Sequence, residues 1–245
     1  MAEHIETSLI IGRGEIGKAL FGFLREVKAE VFIRDAKPTK VPKIDILHIA
    51  FPYSEDFVKH VQAYMEQYDP LLTIVYSTLP IGTTKEIGDN VVHSPIEGRH
   101  PALEASIAIG VRWLGSENKS ALADAVIFWQ QYVKTIRTVN SSDNTEFLKL
   151  RSTAKYGINL VWTDYEAKVS KDLGMDYESV KQFDLDYNSL YETLQAPQFK
   201  RYILDPPNGE IGGHCIVPNA ELLDVQHPHD LLKMIVAMKK PKGKK

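Results

Sequence analysis

Ser8-Leu9-Ile10-Ile11-Gly12-Arg13-Gly14-Glu15-Ile16-Gly17 joins a short apolar run to a turn with glycines spaced Gly-x-Gly-x-x-Gly. The run has the length of a buried strand. Beyond it Ile16, Leu20, Phe21 and Leu24 recur at helical spacing. Val31-Phe32-Ile33-Arg34 then reads as a second strand ending at Asp35. Strand, glycine-rich turn, helix, strand and acid, in that order, make a dinucleotide-binding arrangement. Gly12 permits the tight turn. Gly14 lets a pyrophosphate approach the backbone beside Glu15 and Ile16, at the helix N-terminus, and Gly17 lets helix and strand pack closely. A carboxylate at Asp35 bonds a ribose 2′-hydroxyl and repels a 2′-phosphate, which favours NAD over NADP. Arg34 and Lys37 flank it and pull the other way.

The alternation of strands and helices continues. Ile44-Asp45-Ile46-Leu47-His48-Ile49-Ala50, Leu72-Thr73-Ile74-Val75-Tyr76 and Asn90-Val91-Val92-His93 read as strands, with a helix near residues 55–67. Ligands in such sheets bind outside the carboxyl ends of the strands. Pro52, Tyr53 and Ser77, which follow two of these strands, therefore join the cofactor candidates. His93, Glu97, Arg99 and His100 lie at or after the third, as substrate contacts or as ordinary loop. Ile107-Ala108-Ile109-Gly110-Val111-Arg112-Trp113 and Thr135-Ile136-Arg137-Thr138-Val139 look like further strands, separated by a helix near 119–133. The fold class expected is α/β, with a Rossmann-type, doubly wound, mostly parallel sheet over residues 1–140. A helical domain with a long central helix is expected over 141–245.

Composition narrows the function classes. Apolar residues make up 44% of the 245 residues and charged residues 25%, as in an ordinary globular chain. A net charge of -3 gives no reason to expect nucleic acid or a membrane surface as partner. No apolar run approaches a membrane span. The N-terminus lacks the basic and apolar regions of an export signal, so a cytoplasmic location is expected. The C-terminal Lys239-Lys240-Pro241-Lys242-Gly243-Lys244-Lys245 reads as a solvated basic tail.

In the second half, Asp143 followed by Glu146 resembles a helix start. Phe147, Leu150, Ala154, Ile158, Val161, Tyr165 and Val169 then repeat every three to four residues, which predicts a buried stripe on a helix reaching about Leu173. Lys149, Thr153 and Tyr156 share a neighbouring face. Lys149 is either a solvated side chain or one that faces the cleft, steering a proton or an oxyanion. A second helix begins at Asp176 or Ser179, with Tyr177, Val180, Phe183, Tyr187, Leu190 and Leu194 as its apolar side. Gly212-Gly213-His214-Cys215 holds the one cysteine of the chain. A lone cysteine is either packing or chemistry, and paired glycines favour close approach of a ligand. His214 either modulates that thiol or points away from it. His227-Pro228-His229-Asp230 is too small a cluster for a zinc site, and no metal is expected.

These residues resemble the nucleotide-sugar 6-dehydrogenase family, which includes the UDP-glucose, UDP-N-acetylmannosamine and GDP-mannose dehydrogenases. The resemblance is carried by Gly12 to Gly17, by Ser77-Thr78-Leu79-Pro80-Ile81-Gly82-Thr83, by Glu146-Phe147-Leu148-Lys149-Leu150 and by Gly212-Gly213-His214-Cys215. It implies NAD as cofactor, Cys215 as a nucleophile that captures an aldehyde as thiohemiacetal and then thioester, and Lys149 as the charge that steadies oxyanions. It also implies Thr78 as a residue positioning water, and a homodimer paired through the long helix. The chain departs from the pattern at Thr153, where the family has asparagine, and at Asn219, where it has aspartate. Ser94-Pro95-Ile96-Glu97 replaces an Asn-Pro-Glu segment. The family's third domain, which binds much of the nucleotide, has no counterpart, so this reads as a short, divergent member. Three functions follow: oxidation of an alcohol, of a sugar or nucleotide sugar, through Cys215; an NAD-dependent oxidoreductase that stops at the carbonyl; or a non-catalytic NAD-binding sensor or assembly subunit.

Overall fold

The computed structural model describes residues 7–35, 37, 40–98 and 101–239. Arg99 and His100, residues 1–6 and the tail from 240 lie outside the described residues. The chain forms two compact units, Met1–Lys149 and Leu150–Lys245.

Among the described residues, the first unit holds a seven-stranded sheet. Its strands are β1 (Ser8–Ile11), β2 (Val31–Arg34), β3 (Ile46–Ile49), β4 (Leu72–Val75), β5 (Val91–His93), β6 (Arg112–Gly115) and β7 (Ile136–Val139). Their spatial order is β2-β1-β3-β4-β5-β6-β7. β2, β1, β3, β4 and β5 are mutually parallel, β6 runs antiparallel to β5, and β7 is parallel to β6. This is the Rossmann-type, doubly wound, mostly parallel sheet expected. Strands buried on both faces need apolar residues at successive positions, and all four residues of β1 are buried.

Two apolar layers cover the faces. One packs α1 (Glu15–Glu26), α4 (Leu103–Ile109) and α5 (Lys119–Trp129) through Leu20, Phe23, Leu103, Ile107, Phe128 and Trp129. The other packs α2 (Phe57–Tyr68) and α3 (Thr83–Ile87) through Phe57, Val61 and Ile87. The strand expected at Ile107 to Trp113 starts only at Arg112. Residues 103–109 are helical instead, because Leu103 and Ile107 lie one turn apart and bury together, while Ile109 is 87% exposed. Gly110, extended, ends that helix.

The helix α6 (Ser142–Asp172) spans 31 residues and belongs in part to each unit. The contact division falls at 149/150 rather than 140/141, because the first turns of α6 are bonded to loops of the sheet domain. The expected apolar stripe is buried in part. Leu150 and Ala154 are buried as expected, Phe147 and Tyr165 are 44% and 56% exposed, and burial extends instead to Glu146, Gly157 and Asp164. Gly157 shows the reason: a Cβ there would stand 2.8 Å from Ile216 and 3.0 Å from Ile235, so neighbours sit too close for large side chains.

The rest of the second unit comprises α7 (Tyr177–Thr193), a short 3-10 turn at Pro197–Phe199, α8 (Ile216–Gln226) and α9 (Asp230–Ala237). Asp176 caps α7, its carboxylate accepting the Glu178 N–H. No residue of α7 is buried.

Candidate active site

The turn after β1 is shaped by what its glycines touch. Gly12 has φ +113°, and a Cβ there would fall 2.5 Å from the Ala50 carbonyl oxygen. At Gly17 a Cβ would lie 1.9 Å from the Gly12 oxygen, so only glycine lets α1 start against its own turn. At Gly14 the opposite holds: nothing stands within 4 Å of an added Cβ. Gly14 is the N-cap of α1 and offers no side-chain cap. The helix dipole favours an anion at this N-terminus. Glu15 is exposed and Ile16 half-buried at this mouth. The open cradle over Gly14 fits a dinucleotide pyrophosphate, and exposed Asp35, at the end of β2, fits its ribose.

The loops after β3 and β4 border the same edge of the sheet. Pro52 and Tyr53 are exposed, with the Tyr53 ring 6.0 Å from Phe57. The Ser77 hydroxyl donates to the Phe51 carbonyl at 2.6 Å, tying the two loops together. Half-buried Thr78 follows it.

The first two turns of α6 hold these loops from one side. Glu146 does not reach back to cap its own helix. Its carboxylate accepts the Gly82 N–H at 2.6 Å, the Thr84 N–H at 2.8 Å and the Thr84 hydroxyl at 2.6 Å. It thus caps α3, which Gly82 opens without a side-chain cap of its own. Burial pushes the Glu146 carboxyl up to about 7, against the pull of those bonds. The helix start is held instead by Glu117, which accepts the Ser142 N–H at 3.0 Å.

His93 is fully buried at the end of β5. Its Nε2 lies 3.1 Å from the Ser77 carbonyl and its Nδ1 2.8 Å from the Thr145 hydroxyl. The Thr145 hydroxyl donates onward to the Ser142 carbonyl at 2.9 Å, so the ring joins the loop after β4 to the first turn of α6. Burial holds the imidazole down, to about 4, and it is neutral. With both ring nitrogens engaged inside the protein, His93 is a brace between loop and helix, not a substrate contact.

One turn on from Glu146, the Lys149 ammonium donates to the Ile96 carbonyl at 2.6 Å and lies 3.8 Å from the Glu97 carboxylate. Glu97 is exposed. Lys149 is therefore held at the carboxyl edge of the sheet by the loop after β5. Glu146 and His93 were not expected to act this way. The Glu146-x-x-Lys149 spacing was the available signal, since residues three apart share a helix face.

Cys215, Thr153 and Asn219 belong to the second unit. Cys215 is exposed and stands immediately before α8. Gly212 and Gly213 leave open space around the approach, Gly213 at φ +87°. His214 is exposed beside them. The Asn219 N–H donates to the Cys215 carbonyl at 3.1 Å, forming the first turn of α8. Asn219 is buried, and its side-chain amide donates to the Thr153 hydroxyl at 2.9 Å, which donates to the Leu150 carbonyl at 3.0 Å. The two departures read separately from the sequence are thus partners of each other. His229 caps α9, its Nδ1 accepting the Leu231 N–H at 3.2 Å. Among the described residues no group of His, Cys, Asp or Glu could hold a metal.

No protein-family model matches the sequence, and no curated protein matches it. Solved structures match its fold. The UDP-D-ManNAc dehydrogenase of Pyrococcus horikoshii aligns with TM-score 0.77 and 16% identity, over 95% of this chain and 68% of that one. The UDP-glucose dehydrogenase of Pyrobaculum islandicum aligns with TM-score 0.73 and 12% identity, over 97% and 68%. The 3-hydroxyisobutyrate dehydrogenase of Mycobacterium tuberculosis aligns with TM-score 0.68 and 13% identity, over 94% and 91%. The chain therefore shares the fold of these structures, spanning about two thirds of the sugar-nucleotide enzymes and nine tenths of the hydroxy-acid enzyme.

Proposed function

We propose that this protein is an NAD-dependent dehydrogenase that oxidises an alcohol. The observation that carries the reading is the open glycine cradle at the α1 mouth with Lys149 held at the same edge of the same sheet. NAD, bound along Gly12, Gly14, Glu15, Ile16 and Gly17 with its ribose on Asp35, supplies the hydride acceptor. Pro52, Tyr53 and Ser77 border its path. Lys149 steadies the negative charge left on the substrate oxygen when the alcohol proton is lost to solvent; that charge passes into the new C=O bond as hydride leaves for NAD, and a fixed ammonium suits the role. Thr78 and Glu97 are the residues proposed to orient the substrate. Both dehydrogenase likenesses support a small-molecule substrate. A sugar or nucleotide sugar is the proposed class.

In the fuller version of this reaction, the Cys215 sulfur adds to the aldehyde carbon, giving a thiohemiacetal. Loss of a second hydride to a second NAD gives a thioester. Water then cleaves the C–S bond, returning the thiol and releasing a carboxylate. The exposed thiol at the start of α8 supports this, because a helix N-terminus favours negative charge on sulfur. A second reading stops at the carbonyl. It is favoured by the Thr153–Asn219 pair, which supplies no carboxylate to take a proton from water.

We further propose a homodimer through the long helix α6, on which Phe147, Trp162 and Tyr165 are 44%, 58% and 56% exposed. Trp162→Glu should dissociate the dimer in light scattering.

The deciding experiment is cofactor reduction with NAD and a panel of sugars, nucleotide sugars and small hydroxy acids, for wild type and Cys215→Ser, with the product identified. Turnover to a carboxylate that the variant loses supports the thioester route. Turnover to a carbonyl that the variant keeps supports the second reading. NAD binding without turnover on any alcohol would overturn the dehydrogenase assignment in favour of a sensor or assembly subunit.

A further inference from the structure

The end of β2 presents two side chains with opposite consequences for the cofactor. A carboxylate there selects a ribose hydroxyl, whereas an arginine there accommodates a 2′-phosphate. This chain has both, side by side, as Arg34 and Asp35. The outcome depends on where the guanidinium goes.

Arg34 is only 4% exposed. It lies on the α2 face of the sheet, where its Nε donates to the Asp35 carbonyl at 3.0 Å and its NH1 donates to the Tyr68 hydroxyl. Its guanidinium carbon stands 5.4 Å from the centre of the Tyr64 ring and 5.9 Å from that of Tyr68. Tyr64 and Tyr68 are one turn apart on α2, so a single helix face presents both rings. The cation is thereby turned beneath the sheet edge, while Asp35, the next residue, is exposed.

We propose that Tyr64 and Tyr68 are specificity-determining residues, which make this protein select NAD by withholding Arg34 from the adenosine ribose and leaving Asp35 alone to read it. The inference rests on the reading that the Gly12–Gly17 turn binds a dinucleotide. Aromatic faces hold a desolvated guanidinium well. Without them the same arginine, one residue from the ribose position, becomes the 2′-phosphate partner.

The test is calorimetric titration of the full chain with NAD and with NADP, with no substrate present. Wild type should bind NAD at least about tenfold more tightly than NADP, the loss expected for a 2′-phosphate facing a carboxylate. Tyr64→Leu with Tyr68→Leu should tighten NADP by about tenfold, as one new charged contact is worth, and leave NAD within about twofold. Adding Arg34→Leu to that pair should abolish the gain. Lys37→Ala, the other nearby cation, should leave the gain in place. Tyr68→Phe, which keeps the ring and removes the hydroxyl acceptor, should move the ratio less and in the same direction, and serves if the double variant fails to fold. An unchanged NAD-to-NADP ratio in the tyrosine variants would overturn the proposal. So would a wild-type ratio that Arg34→Leu alone alters severalfold, since the arginine would then already reach the ribose. If wild type binds neither nucleotide, the dinucleotide reading itself fails, and that result differs from either of these.

Discussion

Replacing Glu146 with glutamine should make the stability of the protein less sensitive to pH, with a definite sign. The wild-type carboxyl rises from 4.5 to about 7, chiefly because it is buried. Asp143 nearby adds to the rise, and Lys85, on α3, is committed to Asp143 at 2.8 Å. A raised pKa means that the folded chain holds the proton more tightly than the unfolded chain. The favourable contribution is complete below about pH 4.5 and is lost as the pH rises through about 7. A difference of roughly 2.5 units corresponds to ~3 kcal/mol between those limits. Glutamine has no such titration but places an NH₂ where an oxygen accepted from Gly82 or Thr84, leaving a buried donor unmatched at a cost of ~1–3 kcal/mol. Glu146→Gln should therefore be less stable than wild type at pH 5, and the two should converge near pH 8. Urea midpoints followed by circular dichroism at several pH values measure this. A difference that is flat with pH, or in which wild type gains as pH rises, would refute the reasoning. It would mean that the three donors outweigh burial.

Gly17→Ala should destroy the first unit's turn, because its Cβ has 1.9 Å to the Gly12 oxygen, and thermal unfolding should show it directly. Gly14→Ala meets no protein atom, so it should keep the melting temperature and lose about tenfold or more in NAD affinity, as binding energy lost with close approach. His48 and His93 are buried and held down to about 3 and about 4 from 6.5, so their contribution is intact above pH 6.5 and lost as pH falls toward those values. His93→Asn should shrink that acid-side loss by up to ~3 kcal/mol in urea titrations. Thr153→Ala and Asn219→Ala should each cost ~1 kcal/mol, and a double-mutant cycle should show them coupled by at least ~0.5 kcal/mol; strict additivity would deny the bond between them.

Local chemistry made much of this legible. The shape of the Gly12–Gly17 turn and the apolar strands were legible because each depends on neighbours a few residues away. Sterics at a glycine and alternation along a buried strand are short-range properties. The strand expected at Ile107 failed because a run of apolar residues has no direction until something packs on it, and α1 packed on Leu103 and Ile107 as a helix. The stripe on α6 is buried at Leu150 and Ala154 but not at Phe147 or Tyr165, for a related reason. Spacing of three to four residues identifies a helix, but which face is buried depends on how closely neighbours approach, and at Gly157 they approach too closely for bulk.

Strand-and-helix order, the glycine cradle and the residue types available for chemistry follow from covalent geometry and local propensity. What those residues do follows from folding. It turned Glu146 from a cap on its own helix into the clasp on Gly82 and Thr84. It made His93 a buried brace, paired Thr153 with Asn219, and drew Arg34 beneath Tyr64 and Tyr68. Each of these is a hydrogen bond or ring contact between residues far apart in the chain, and burial, which gives such contacts their strength, exists only once the chain has folded.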